Sequence, residues 1–195
     1  MKQTLRTLNL RHCGGILLAV GLCIAPATGY GSVVRALNLD QQIGLSDLVV
    51  EGRVGLHQQS IDPVSGRPMT DTAIHVVEVL HGRKIETGAS RVLQIRQIRG
   101  YIRGELLSVT GDPTLKTGEH VILMLRQVDG RYYLTALSQS VFWIDASTNP
   151  PRVEQRLDGL VRVSELGGGR VRAPDPTVPT LAELRQAIRK AEVGR

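Results

Sequence analysis

Apolar residues recur at every second position over several short stretches of this chain, a period that marks strands whose two faces meet different surroundings. The segments "LVVEGRV" (Leu48 to Val54) and "TDTAIHVVEVL" (Thr70 to Leu80) are rich in β-branched residues and read as strands. Between them "QQSIDPVSGRPMT" carries two prolines and a glycine, which predicts a surface loop joining two antiparallel strands. "RVLQIRQI" (Arg91 to Ile98) sets Leu93, Ile95 and Gln97 on one face and Val92, Gln94, Arg96 and Ile98 on the other. A long glycine-punctuated connection follows, with a brief strand around Leu106 to Val109. "HVILMLRQ" and "RYYLTALS" flank Asp129-Gly130, a strong hairpin signal, and "SVFWID" adds a short strand. "RVEQRLDGLVRVSEL" reads as one more hairpin around Asp158-Gly159.

The period changes near the two ends. Leu37, Ile43 and Leu45 within "ALNLDQQIGLSD" suit a short helix of one or two turns. In "TLAELRQAIRKAEV", Thr180 caps, Glu183 stands three residues on, and Leu181, Leu184 and Ile188 form an apolar stripe, which predicts an amphipathic helix over 180–193. Glycines and prolines make 166–179 a flexible linker. The expected fold is therefore all-β with minor α: a small antiparallel barrel over 33–165, OB-like, with a short N-terminal helix and a C-terminal amphipathic helix.

Composition changes this picture at the N-terminus. Lys2, Arg6 and Arg11 precede the 12 apolar and small residues "GGILLAVGLCIA", and "APATG" supplies the small residues of a cleavage site, so residues 1–27 read as a signal peptide cut after Ala27 or Gly29. The apolar run falls short of the roughly 20 residues of a spanning helix, so the chain is expected not to span a membrane. Cys13 and Cys23 both lie in this leader, so a mature chain without thiol or disulfide is expected to be stabilised by packing. Loss of the three leader cations leaves 21 basic against 18 acidic residues, a net charge of +3 and too little for backbone-driven nucleic-acid binding. A secreted or periplasmic location is expected.

The order of "SDLVVEGRV", "TAIHVVEVLHG" and "GDPTLKTGEHVILMLRQVDGRYYL" resembles a group of uncharacterised secreted bacterial proteins over Asp47 to Asp145. More distantly it is similar to the OB-type barrel of the tissue inhibitors of metalloproteinases and of netrin modules, with a helix-then-strand start and a Gly-Glu step into an aliphatic strand. Those inhibitors chelate the protease zinc through a mature N-terminal cysteine. The absence of cysteine after the leader means that the resemblance implies a fold and does not carry that chemistry.

Candidate reactive residues are few and spread apart. Glu119 and His120 are adjacent in a strand, so their side chains diverge, and the Gly-Glu step reads as a polar turn before a buried strand. His75 and Glu78, three apart, are likewise expected on opposite strand faces, and His57 and His81 fall at loop or turn positions. No metal set, Gly-x-Ser-x-Gly elbow or Ser-x-x-Lys pair occurs, and Gly167 to Gly169 run into prolines rather than into a phosphate-binding helix. No catalytic residue, metal or cofactor is expected.

The aromatic group Tyr132, Tyr133, Phe142 and Trp143 is the best binding candidate. Alternation sends one of each pair to the core and leaves the other for an exposed patch bordered by Arg126 and Arg131. The expected function is a non-enzymatic domain binding a protein or envelope component. The alternatives are a hydrolase or metal-dependent enzyme whose residues converge only in three dimensions, and a protease-associated inhibitor lacking the cysteine mechanism.

Overall fold

The computed structural model describes residues 32–82, 91–157, 159–166, 169–176 and 178–193. The expected leader with its expected cleavage positions, and both cysteines, lie outside these residues. The chain runs β1 (Val33–Arg35), α1 (Leu39–Gly44), β2 (Leu48–Ile61), β3 (Pro68–Gly82), β4 (Val92–Gln97), β5 (Arg99–Ile102) and β6 (Glu105–Ser108). It continues with β7 (His120–Val128), β8 (Arg131–Leu134), a 3-10 turn (Leu137–Ser140), β9 (Val141–Asp145), β10 (Arg152–Glu154), β11 (Val161–Leu166), β12 (Gly169–Arg172) and α2 (Leu181–Val193).

The main sheet closes on itself. Its order is β10-β9-β7-β2-β3-β4-β8, and β8 also pairs with β7, so β2, β3, β4, β8 and β7 form a ring of five strands. The closing contact is the parallel pair Ile95 with Tyr132; every other neighbour in the ring is antiparallel. The β-rich fold with two helices expected from the sequence is therefore present, and ring closure removes the edges an open five-stranded sheet would expose.

The hairpin chemistry follows local rules. Asp129 and Gly130 both adopt positive φ, as a two-residue turn matched to strand twist requires. Arg103 and Gly104 do the same: the brief strand expected around Leu106 to Val109 is present as β6, and the rest of the expected connection adds β5, which pairs with it as a hairpin. Strands β2 and β3 extend further than their aliphatic cores, leaving only residues 62–67 as their loop. The prolines are tolerated because Pro63 lies in the loop and Pro68 is the first residue of β3.

Two expectations near the C-terminus change. Residues 152–166 do not fold back as a hairpin: β10 pairs with β9, whereas β11 pairs with β1 in parallel and with β12 in antiparallel fashion. The stretch 166–179 contains strand β12 and the buried Ala173, whose N–H donates to the Arg162 carbonyl at 2.8 Å. There β12 pairs in antiparallel register with β11, the strand just before it in the chain, so a local hairpin stands where the glycine-rich composition suggested a linker.

Two apolar cores sit on opposite sides of the same strands. Inside the ring, Leu48, Val50, Val54, Ile74, Ile95, Val121, Leu123, Leu125 and Trp143 pack together. Outside it, α1 and α2 cover Val49, Ile122, Met124 and Phe142 with Ile43, Leu181, Leu184 and Ile188. Strand β7 is buried from Val121 to Leu125 because both its faces are covered, which explains its unbroken aliphatic run. Among the described residues no helix is long and apolar enough to cross a membrane.

Candidate binding surface

The expected aromatic group is divided by the two cores. Tyr132 points into the ring and packs on its core, while Tyr133 stands opposite Arg126 across the β7–β8 ladder on the outer side. Arg126 and Arg131 are exposed. Phe142 and Trp143 are both buried, at 4% and 3% exposure, so the exposed member expected from that pair is absent. Alternation does send them to opposite faces, but each face has its own cover: Trp143 fills the ring and Phe142 lies under the helices.

Trp143 and Glu119 belong to one closure at the ring's mouth. Gly118, at φ +90°, turns the chain so that Glu119 accepts from the Lys116 backbone N–H at 2.8 Å and from Trp143 Nε1 at 3.1 Å. Arg156 donates to Glu119 at 3.0 Å and stacks 4.8 Å from the Trp143 ring centroid. Bonds to Glu154 and Glu119 hold the Arg156 guanidinium above its usual pKa, against the effect of burial. The Gly-Glu step is thus a structural cap, as its local pattern suggested.

His120 takes the other direction. Its Nε2 lies 2.9 Å from Glu51 Oε1 on the outer side of the sheet, and Arg185 of α2 grips the same carboxylate through Nε at 2.9 Å and Nη2 at 2.7 Å. Glu51 is 1% exposed, so this pair ties the C-terminal helix to the ring through a desolvated charge. Nothing local in "VVEGRV" marks Glu51 as special; its partner is 134 residues away.

The remaining histidines serve separate neighbourhoods. His57 Nδ1 meets Thr72 Oγ1 at 3.0 Å, and His81 is buried on the helix side of β3. His75 and Glu78 were expected on opposite faces, but the register steps from Glu51/Glu78 to Gly52/Val76, leaving Val77 as an extra residue. This bulge brings Glu78 to the outer side, where it accepts from Arg189 of α2 at 2.9 Å. Among the described residues no group of three or more His, Cys, Asp or Glu is placed to hold a metal ion.

Exposed apolar side chains concentrate elsewhere, on the far arm of β2–β3 and on β5–β6. Leu56, Ile61 and Val64 stand in solvent on the first, and Tyr101, Ile102, Leu106 and Leu107 on the second. Tyr101 pairs with Leu106 on one face of the short hairpin, whereas Ile102 and Leu107 occupy the other. The hairpin is anchored at its base, where Thr70 Oγ1 donates to the Arg99 carbonyl at 2.8 Å and Gly100 leaves room for Pro68, which a Cβ would meet at 2.8 Å. Arg67, Arg99 and Arg103 outnumber Asp62 and Glu105 around it. The Asp62 carboxyl is held below its usual range first by the Ser65 backbone N–H and then by the Ser65 hydroxyl. The composition of "RGYIRGELLS" shows this apolar content, but only the tertiary structure shows that, among the described residues, no element covers it.

Compared with known proteins, the chain matches no family model and no curated protein.

Proposed function

We propose that this chain is an exported, non-catalytic binding domain that holds a protein or envelope partner at the end of the ring bearing the β2–β3 and β5–β6 hairpins. The observation that carries the reading is the β5–β6 hairpin, apolar on both faces and rooted at its base, with Tyr101 61% exposed. Soluble domains rarely leave contiguous apolar side chains in water unless a partner covers them. The exposed tyrosine and the surrounding arginines are residue types enriched at binding hot spots. The leader-like N-terminus supports a secreted or periplasmic location, and the OB-like strand order supports the distant likeness to inhibitor and netrin barrels. Arg126, Arg131 and Tyr133 extend the same reading to the outer side of β7–β8.

The test compares the protein with a Tyr101→Ala/Leu106→Ala variant in capture of partners from the native secreted fraction, alongside far-UV circular dichroism. Partner recovery should fall at least tenfold while the spectrum is unchanged, because both side chains point away from either core. Equal recovery by the two proteins removes this surface from the assignment.

A further inference from the structure

The two exposed hairpins leave the ring side by side. Thr70 of β3 pairs with Gln97, the last residue of β4, and the chain then carries Gly100 against Pro68, where a Cβ would meet the proline ring at 2.8 Å. That contact turns one face of the β5–β6 ribbon toward the β2–β3 arm and the other away from the protein. Pairing and alternation place Gly100, Ile102, Glu105 and Leu107 on the first face and Arg99, Tyr101, Leu106 and Ser108 on the second. The exposures agree: Ile102 and Leu107 are 36% and 43% exposed, against 61% and 50% for Tyr101 and Leu106.

The outward face has a defined chemistry. A phenol and a leucine form its centre, with Arg99 at the base and Arg103 at the turn, and neither guanidinium forms an ion pair among the described residues. The acid of this hairpin, Glu105, belongs to the face turned toward the arm. On the arm itself Val64 is 94% exposed at the loop tip and Arg67 is exposed beside it. The Asp62 carboxylate of that loop is occupied by its own turn, where it accepts from the Ser65 N–H at 2.8 Å and the Ser65 hydroxyl at 2.9 Å. Both hairpins thus present apolar side chains bracketed by cations, while their acids are directed elsewhere.

We propose that the hairpins dock on the surface of a bilayer containing anionic phospholipid, a partner that rests on the binding role given to them above. Tyr101 takes the position of an interfacial tyrosine, Leu106 and Val64 enter the boundary between headgroups and acyl chains, and Arg67, Arg99 and Arg103 meet lipid phosphates. A rigid protein cleft shaped to the outward face would leave Ile102 and Leu107 in water, whereas a fluid surface closes around both faces of a protruding ribbon. Strand β6 pairs only with β5, so one edge of the ribbon has no strand partner. Those backbone groups stay hydrated among headgroups and would lose their hydrogen bonds in hydrocarbon, so the contact is interfacial and does not span.

Flotation of the purified protein with vesicles of phosphatidylcholine, alone or mixed with phosphatidylglycerol, tests it. Binding to the mixed vesicles should exceed binding to phosphatidylcholine by roughly tenfold or more and should fall as salt rises. Tyr101→Ala/Leu106→Ala should lose roughly tenfold of the affinity for mixed vesicles, and Arg99→Gln/Arg103→Gln should lose most of the preference for them. Circular dichroism checks that both variants fold, and any contribution of the N-terminal residues is common to parent and variants. The comparison of the two vesicle types with the unaltered protein decides the matter even if a variant does not fold. No vesicle binding, equal binding of the parent to both vesicle types, or equal binding by the parent and the Tyr101→Ala/Leu106→Ala variant overturns the bilayer as partner. If that variant still loses capture from the secreted fraction, the hairpins remain a binding surface for a protein; if capture is also unchanged, both readings fall.

Discussion

Replacing Arg185 by alanine removes two charge-assisted hydrogen bonds from a carboxylate that has almost no access to water. The Glu51 side chain is 2% exposed and, among the described residues, would keep only His120 Nε2 at 2.9 Å as a side-chain partner. Breaking a buried pair costs about 3–5 kcal/mol because the surviving charge stays desolvated. The Arg185 side chain is 34% exposed, and its solvation and entropy return when it is cut away, so about 2–4 kcal/mol is the better figure here. A control lies one turn along the same helix. Arg189 bonds Glu78 at 2.9 Å in the same chemistry, but those side chains are 58% and 42% exposed, so Arg189→Ala should cost no more than about 0.5 kcal/mol. Urea unfolding measures both, and thermal melting should place Arg185→Ala about 5–15 °C below the parent. Adding Glu51→Gln to Arg185→Ala should recover part of the loss, since a neutral amide needs no counter-charge. Equal losses for the two arginine variants would refute the argument that burial of Glu51 sets the scale.

Other outcomes follow from single contacts. Gly52→Ala should lower stability by about 1–3 kcal/mol in urea unfolding, because a Cβ there would sit 2.7 Å from Ile74 Cγ2 and 2.8 Å from the His75 carbonyl oxygen. Arg156→Ala should uncover Trp143, the only tryptophan, shifting its fluorescence to the red with a stability loss of about 0.5–1 kcal/mol. The Thr180 backbone N–H, and then its hydroxyl, hold the Glu183 carboxyl below its ordinary pKa. The stabilisation of α2 by that cap is therefore complete above the unfolded carboxylate range and is lost as pH falls through the lower folded value. Glu183→Gln should flatten this acid dependence in a pH series of melting curves, and an unchanged slope would exclude the cap as its source.

What could be read in the sequence was what short spans decide. Alternation and β-branched content located β2, β3 and β4; Asp129-Gly130 located the β7–β8 hairpin; and the spacing of Thr180 and Glu183 located the start of α2, where the N–H of Glu183 returns a bond to Thr180 at 3.3 Å. The α1 capping box of Asn38 and Gln41 obeys the same local rule. Alternation also placed Phe142 and Trp143 on opposite faces correctly. It could not say that both faces are covered, because the cover over Phe142 comes from helices at the two ends of the described chain. The burial of Glu51, the bulge at Val77, the parallel pairing of β1 with β11 and the closing pair Ile95–Tyr132 all depend on residues distant in sequence. A side-chain period states which residues share a face. Whether that face meets water, a core or a partner is settled only when the whole chain has chosen its neighbours, since burial is a property of the assembled surface and not of any segment.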